Sequence, residues 1–400
     1  MLKTLASRNP DLQRLLEKGY ALAIDSNYLV VRDIPYLDSA GELQWSAFVG
    51  KMVFEDQSVV RPEDHQIFFA APRPFGLDGQ VVRGLGGGEA QLNLSEHCRD
   101  FVVRQRFSHK LKEGGQLRAY VDHFEKIESY VAMVSGPAMA KFGVDPYTFR
   151  EYEEEAPASV FKLHDTMTSR AEISDLAKLF EKDVIAIIGL GGSGSYLLDF
   201  MVKTPVREIR GFDPDKFFVH NAFRSPGRLD VEEGVELRQS KAEIYRRRYE
   251  NFRNGLIIKP LFIDETSVQE LDGVTFAFVV VDKGSSRKRI IDLLIAKNIP
   301  FIDVGMGLKR QGGGISGMLR TTYFPYDNGQ IVRSKGYVPE TDPPDDVYKS
   351  NIQISELNAI NAALAVLRFK QIRGYYVGPD LLNQLLLTLD NISLLVPDDD

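Results

Sequence analysis

The chain has 400 residues, 49 Lys and Arg against 56 Asp and Glu, a formal net charge of -7 and a pI near 5.6. That length suits two or three domains, and the acidity excludes a general nucleic-acid binder, which needs a basic stripe to displace phosphate counterions. The single cysteine, Cys98, excludes an internal disulfide framework or a cysteine-built zinc site. The stretch VTFAFVVV from Val274 is too short to span a bilayer, and MLKTLASRNPDLQRLLEKG lacks the apolar core of a signal peptide. A cytoplasmic location without membrane or nucleic-acid partners is therefore expected.

Leu12, Leu15 and Leu16 make a short amphipathic start. In YALAIDSNYLVVRDIPYL, β-branched and aromatic residues bracket a turn at Asp25-Ser26-Asn27, which predicts a hairpin. WSAFVGKMVF and HQIFFAA read as strands, and PRPFGLDGQVVRGLGGGEAQ, rich in Gly and Pro, as a loop. Tyr120, Phe124, Ile127 and Val131 fall at helical spacing, which predicts one helix from Tyr120 to Ala138. Residues 1–150 thus read as an α+β accessory domain with a β-meander, and the acidic stretch Arg150–Ser159 as its boundary.

From about residue 160 to 400 the rhythm is strand–helix–strand. Val184–Gly189 is a continuous apolar run, as befits a strand buried on both faces. A helix over Ser193–Lys203 and a strand at Arg207–Asp213 follow, then a helix at Lys241–Phe252 and a strand in GLIIKPLFI. VTFAFVVVD, the helical SSRKRIIDLLIAKN and the strand PFIDVG complete a pattern that predicts a Rossmann-like, doubly wound, mostly parallel α/β sheet. GLKRQGGGISGMLRTTYF and the Pro/Asp-rich stretch Asp342–Asp346 break the rhythm before a strong helix at ISELNAINAALAVLRFK. The closing PDDD reads as a solvated tail.

The strongest local signal is Gly189-Leu190-Gly191-Gly192-Ser193-Gly194, which leaves a strand and opens a helix. Glycines there allow a tight turn, and the helix N–H groups and dipole favour a phosphate. No Gly-Lys-Ser/Thr follows, so this is not a P-loop. Asp213, 19 residues past Gly194 at a strand end, is placed for ribose hydroxyls, which suits NAD and ATP equally. Asp215, Asn221, Arg224 and Lys241 come next in FDPDKFFVHNAFRSPG and the following helix. Two extra cations suit a triphosphate attacked at its α-phosphate, where they would neutralise the leaving pyrophosphate. Asp282, at the end of an apolar strand, is placed to ligate magnesium.

This series, GxGGxGS, Asp-x-Asp, Asn-x-x-Arg, Lys and then Asp, resembles the ThiF/MoeB/HesA-type adenylyltransferases, ubiquitin-activating enzymes among them. The resemblance covers about Thr168 to Phe369, including VVVDKGSSRKRIIDLLIAKNIPFIDVGMGL. The whole chain is also similar to bacterial ThiF-type proteins with an uncharacterised N-terminal domain, found beside ubiquitin-like conjugation genes. The resemblance implies ATP and Mg2+ as cofactors and a ubiquitin-like partner whose C-terminal carboxylate, on Gly, is adenylated. It implies a nucleotide cradle at Gly189, Gly191, Gly192, Ser193 and Gly194, with Asp213 holding the ribose and Asp215 also binding the nucleotide. Asn221, Arg224 and Lys241 would contact phosphates, and Asp282 the metal. Arg170 is the candidate for an arginine supplied across a homodimer, and a conjugating enzyme is a second expected partner.

Ser225 follows Arg224 where the family commonly has Gln, and no cysteine follows Asp282 to carry a thioester. Cys98, flanked by His97 and Arg99, is the one thiol available, and lone cysteines are more often buried and inert. Two rival readings stand beside adenylation: an NAD(P)-dependent oxidoreductase, which leaves Arg224, Lys241 and Asp282 unexplained, and a non-catalytic adaptor. The histidines lack paired-ligand spacing.

Overall fold

A computed structural model describes the chain except residues 1, 93, 95–97, 99, 152–158, 164, 166, 169–170, 172, 229–236, 238, 343–351, 379–382 and 397–400. Arg170, His97, Arg99, most of the acidic boundary and the terminal PDDD lie outside the described residues. Two compact units emerge, residues 1–159 with 163–175, and residues 160–162 with 176–400. Among the described residues, no helix is long and apolar enough to cross a membrane.

In the first unit the expected hairpin forms from β1 (Ala21–Asp25) and β2 (Tyr28–Leu37), with Ser26 in the left-handed region at φ 58°. β3 (Leu43–Phe54), β4 (Val60–Pro62), β5 (Ile67–Phe69), β6 (Gly88–Glu89) and β7 (Gln105–Phe107) follow. They extend an antiparallel sheet in the order β1-β2-β3-β5-β7-β6, with β4 on β3. β6 lies inside the stretch expected to be a loop. β8 (Leu111–Glu113) and β9 (Gln116–Arg118) form a separate pair. The single helix expected over 120–138 is two helices, His123–Val134 and Gly136–Phe142. The Asp122 carboxylate caps the first by accepting from the Glu125 N–H at 2.7 Å. Pro137 explains the break, because it has no N–H to donate to the preceding turn and fits only at a helix start. Phe48, Phe69, Phe107 and Tyr130 pack the core between sheet and helix.

The second unit is α/β. Its strands are β10 (Val184–Ile188), β11 (Glu208–Phe212), β12 (Leu256–Lys259), β13 (Phe276–Val279), β14 (Phe301–Gln311), β15 (Gly314–Phe324), β16 (Gln384–Thr388) and β17 (Ser393–Leu395). Their order is β12-β11-β10-β13-β14-β15-β16-β17. The run from β12 to β14 is parallel, as expected, and β15 to β17 are antiparallel. From β10 the chain winds outward through β11 and β12, then crosses to β13 on the other side. Ligands bind in such sheets where the winding reverses, beyond the C-terminal strand ends.

The segment that broke the sequence rhythm is a long hairpin. β14 runs well past PFIDVG and pairs with β15 in unbroken register from Phe301↔Phe324 to Gln311↔Gly314. Its two-residue turn, Gly312-Gly313, has φ of 58° and 81°, the left-handed pair that a tight hairpin needs. The late helix spans Ser355–Ile372 and packs Ala362, Ala365 and Phe369 into the same core as Ile302 and Val304.

Candidate functional site

β10 ends at Ile188 and its carbonyl is taken by the Val280 N–H at 2.8 Å. Gly189 turns the chain at φ 98°, and a Cβ there would lie 2.3 Å from the Val280 carbonyl oxygen. Gly191 is the N-cap of the helix Gly192–Val202, and no side chain caps that end. The first N–H groups of a helix lack internal partners and suit an anion. A Cβ on Gly191 would meet nothing within 4 Å, so the space above it is open. Gly192 faces Asn358 instead, with a Cβ position 2.3 Å from its Nδ2, and a Cβ on Gly194 would lie 2.0 Å from the Gly189 carbonyl oxygen. Ser193 donates to Asn358 Oδ1 at 2.9 Å, which ties the loop to the late helix.

Asp213, just past β11, is buried and accepts from the Leu190 N–H at 2.7 Å and the Asp215 N–H at 2.9 Å. Lys241 opens the helix Lys241–Tyr249 and donates to Asp215 at 2.8 Å and to Asp213 at 3.3 Å. Burial pushes the Asp213 carboxyl above its ordinary range, and Lys241 and the two N–H groups offset only part of that. Burial pulls on Lys241 in the opposite sense, yet the two aspartates outweigh it and hold its ammonium above the ordinary value. Both groups are thus held in register by each other, and each Asp213 oxygen faces one backbone N–H and the Lys241 ammonium.

A cavity of about 540 Å³ lies over these strand ends. Of the residues singled out from sequence, Gly189, Gly191, Gly192, Ser193, Asp213, Asp215, Lys241 and Asp282 line it. Gly194 supports the loop from behind. Asn221 and Arg224 do not line the cavity. The Asn221 side chain accepts from the Phe218 N–H at 2.8 Å, capping a short helix, and its carbonyl accepts from Ser225 Oγ at 2.7 Å. Ser225, the departure from the family pattern, is therefore engaged locally. Arg224 is half-buried, with its Nε lacking a partner and its carbonyl accepting from Asn358 at 3.4 Å. His220 is held below its ordinary pKa by partial burial and then by Arg224 and Lys241.

Asp282 is exposed, with Gln353 Nε2 at 3.5 Å from its carboxylate. Among the described residues no three His, Cys, Asp or Glu side chains gather to hold a metal. That donor set suits magnesium, which commonly takes one or two carboxylates together with substrate phosphates and waters. The cavity is also lined by residues that the sequence did not single out: Arg287, Gln353, Asn358 and Asn361. Asn358 and Asn361 sit three apart, one face of a helix, which is the signal that could have marked them. Arg287 donates to the fully buried Asp303 at 2.9 Å, to the Pro339 carbonyl at 3.0 Å and to the Val281 carbonyl. It thereby fixes the loop that carries Asp282. Arg320 completes the network on Asp303 at 2.5 Å.

Cys98 lies in the first unit. It is 3% exposed, and burial pushes its thiol up to about 11. That environment disfavours a thiolate and so a nucleophile.

The fold and the loop define an α/β protein of the doubly wound, glycine-loop class. A family model described as a domain of unknown function, DUF6791, matches residues 10–166. No curated protein matches the chain. Among solved structures, E. coli MccB is similar at 15% identity and a TM-score of 0.42, over 56% of this chain and 64% of that one. E. coli MccB with ATP gives 15% and 0.41, over 57% and 68%. PaaA gives 14% and 0.42, over 68% of this chain and 91% of that one. The chain spans about two thirds of the length of MccB.

Proposed function

We propose that the second unit adenylates the C-terminal carboxylate of a ubiquitin-like protein ending in Gly, using ATP and Mg2+. The observation that supports this most is the convergence, in one cavity, of the open corner at Gly191 with Asp213, Lys241 and Asp282. Asp213 accepts from the ribose hydroxyls, and the helix N–H groups beyond Gly191 take a phosphate. Lys241 neutralises charge that grows on the phosphates as pyrophosphate leaves. Asp282, held by Gln353 and the Arg287-anchored loop, would hold Mg2+ with the phosphates, and the ion would supply charge neutralisation.

In this reaction a carboxylate oxygen of the partner attacks the α-phosphorus. The bond from that phosphorus to the bridging oxygen breaks, and pyrophosphate leaves with the electron pair. Within this chain no cysteine follows Asp282, so the acyl-adenylate passes to a separate nucleophile. A homodimer that lends Arg170 across its interface, Arg224 turning toward the phosphates on binding, recruitment of a conjugating enzyme by residues 1–150, and a cytoplasmic location belong to the same reading.

Pyrophosphate exchange into ATP with candidate partners tests the chemistry. Exchange should need partner, Mg2+ and Lys241, and Lys241→Ala should lower it at least about 100-fold. Thermal unfolding with MgATP, NAD and NADP separates the rivals. Stabilisation by a dinucleotide alone would falsify adenylation in favour of an oxidoreductase. MgATP binding with no exchange for any partner would favour the adaptor.

A further inference from the structure

Beside β13 and β14, two polar atoms of the cavity lining lack what the rest of the site has. Of the buried side-chain polar atoms without a hydrogen-bond partner among the described residues, two belong to cavity-lining residues, and both are carboxamide oxygens: Gln353 Oε1 and Asn361 Oδ1. Asn361 is 1% exposed. Neither amide can turn to present its nitrogen instead. Asn361 Nδ2 donates to the Gly305 carbonyl at 3.0 Å, and Gln353 Nε2 faces the Asp282 carboxylate at 3.5 Å. A flip would set oxygen against oxygen in both places. The two acceptors are therefore fixed as acceptors, one by the β14 backbone and one by Asp282.

A buried acceptor left unpaired is costly, and unpaired acceptors in a cavity ask for a donor on the ligand. On the adenylation reading, nucleotide and acyl group would divide the cavity along the sheet. Asp213 stands at β11 and Gly305 at β14, with β10 and β13 between them, a separation of about 14 Å at ordinary strand spacing. A ribose held at β11 leaves the β14 end to the acyl substrate. The reacting carboxylate brings only acceptors, so the donor must sit just behind it.

We propose that Asn361 and Gln353 are specificity-determining residues that accept the backbone N–H of the acyl substrate's last residue. They would thereby select a peptide C-terminus over a simple carboxylic acid. This inference rests on the adenylation reading, and it adds a requirement that reading does not contain: the terminal amide must carry a hydrogen. A site built to accept from an N–H discriminates strongly against an analogue that lacks it.

The test needs no natural partner. N-acetylglycylglycine and N-acetylglycylsarcosine share backbone length and charge, and differ in that the second has a methyl in place of the terminal amide hydrogen. Their binding is measured by ligand-observed NMR on the full chain loaded with Mg2+ and α,β-methylene-ATP, which cannot turn over. The glycine peptide should bind, and the sarcosine peptide at least about 10-fold more weakly. Gln353→Leu and Asn361→Leu should bring the two peptides close to parity. Gln353 precedes the helix and is half-buried, so its variant carries the test even where Asn361→Leu fails to fold. Equal binding of the two peptides, unchanged preference in both variants, or no binding of either peptide to nucleotide-loaded protein overturns the inference while leaving nucleotide binding intact. Failure of the nucleotide itself to bind overturns the adenylation reading beneath it.

Discussion

Gly191 and Gly194 stand three residues apart and are glycine for unrelated reasons. At Gly194 a side chain collides with the backbone of Gly189, whereas at Gly191 it projects into open space that a phosphate would fill. The two alanine variants should therefore fail differently. Gly194→Ala should lose about 1–3 kcal/mol of stability through overpacking, seen as a lower thermal midpoint without ligand. Gly191→Ala should unfold within about 1 kcal/mol of the parent and yet lose its stabilisation by MgATP. If Gly191→Ala still responds to MgATP like the parent, the phosphate does not lie over that corner. Lys241 and Asp213 offer a second contrast at this scale. Their mutual pairing means that either variant disturbs the other's charge, so their effects on nucleotide affinity should not add.

The helix His123–Val134 carries two basic side chains into the first unit's core, His123 and Lys126, each 1% exposed. Burial, with Lys126 adding to it, drives His123 down to about 3 from an ordinary 6.5. The unfolded chain then takes a proton near 6.5 that the folded one refuses until about 3, so stability falls as pH drops through that window. The loss comes to about 3 kcal/mol by pH 4, and His123→Leu should flatten it in thermal midpoints measured from pH 7 to 4. Lys126 is brought down to about 8 by burial, against an ordinary 10.5, so raising pH between those values favours the folded state. Asp11 accepts from the His123 N–H, and burial raises its carboxyl. It therefore protonates first in the folded state and offsets part of the acid loss.

Elements were legible in the sequence where one period dominates. Val184–Ile188 and the glycine loop announce themselves, and so does the hairpin around Ser26. The β14–β15 hairpin did not, because Gly305, Gly307, Gly314 and Gly317 interrupt the alternation that marks a strand, leaving Gly312-Gly313 as the one usable turn signal. The helix over 120–138 was read as continuous because its apolar spacing outvotes a single proline. In the site, the loop, Asp213, Lys241 and Asp282 were recoverable from order along the chain. Asn361 and Gln353 were not, since their meaning lies in which neighbours pin their amides.

At the scale of the molecule, two units with separate cores should unfold as two transitions in calorimetry. MgATP at 100 times its dissociation constant should raise one of them, that of residues 160–162 with 176–400, by about 2.7 kcal/mol. Acidification should lower the other first, through His123. Should nucleotide and acid move the same transition together, the chain melts as a single cooperative body and the division into units has no thermodynamic meaning. The exchange of short segments at the junction, 160–162 with one unit and 163–175 with the other, also warns against cutting the chain at residue 160. Such a cut hands residues 163–175 to the wrong fragment.

One thiol in 400 residues, shut away in the first unit, makes the protein its own stopwatch. A disulfide reagent can reach Cys98 only in molecules whose covering has opened, so the labelling rate counts those openings. Where reclosing outpaces labelling, each increment of about 1.4 kcal/mol in local stability slows the reaction tenfold. His123→Leu, a shift of pH or a bound partner can each be timed this way, one colour change at a time, with the nucleotide cavity left untouched.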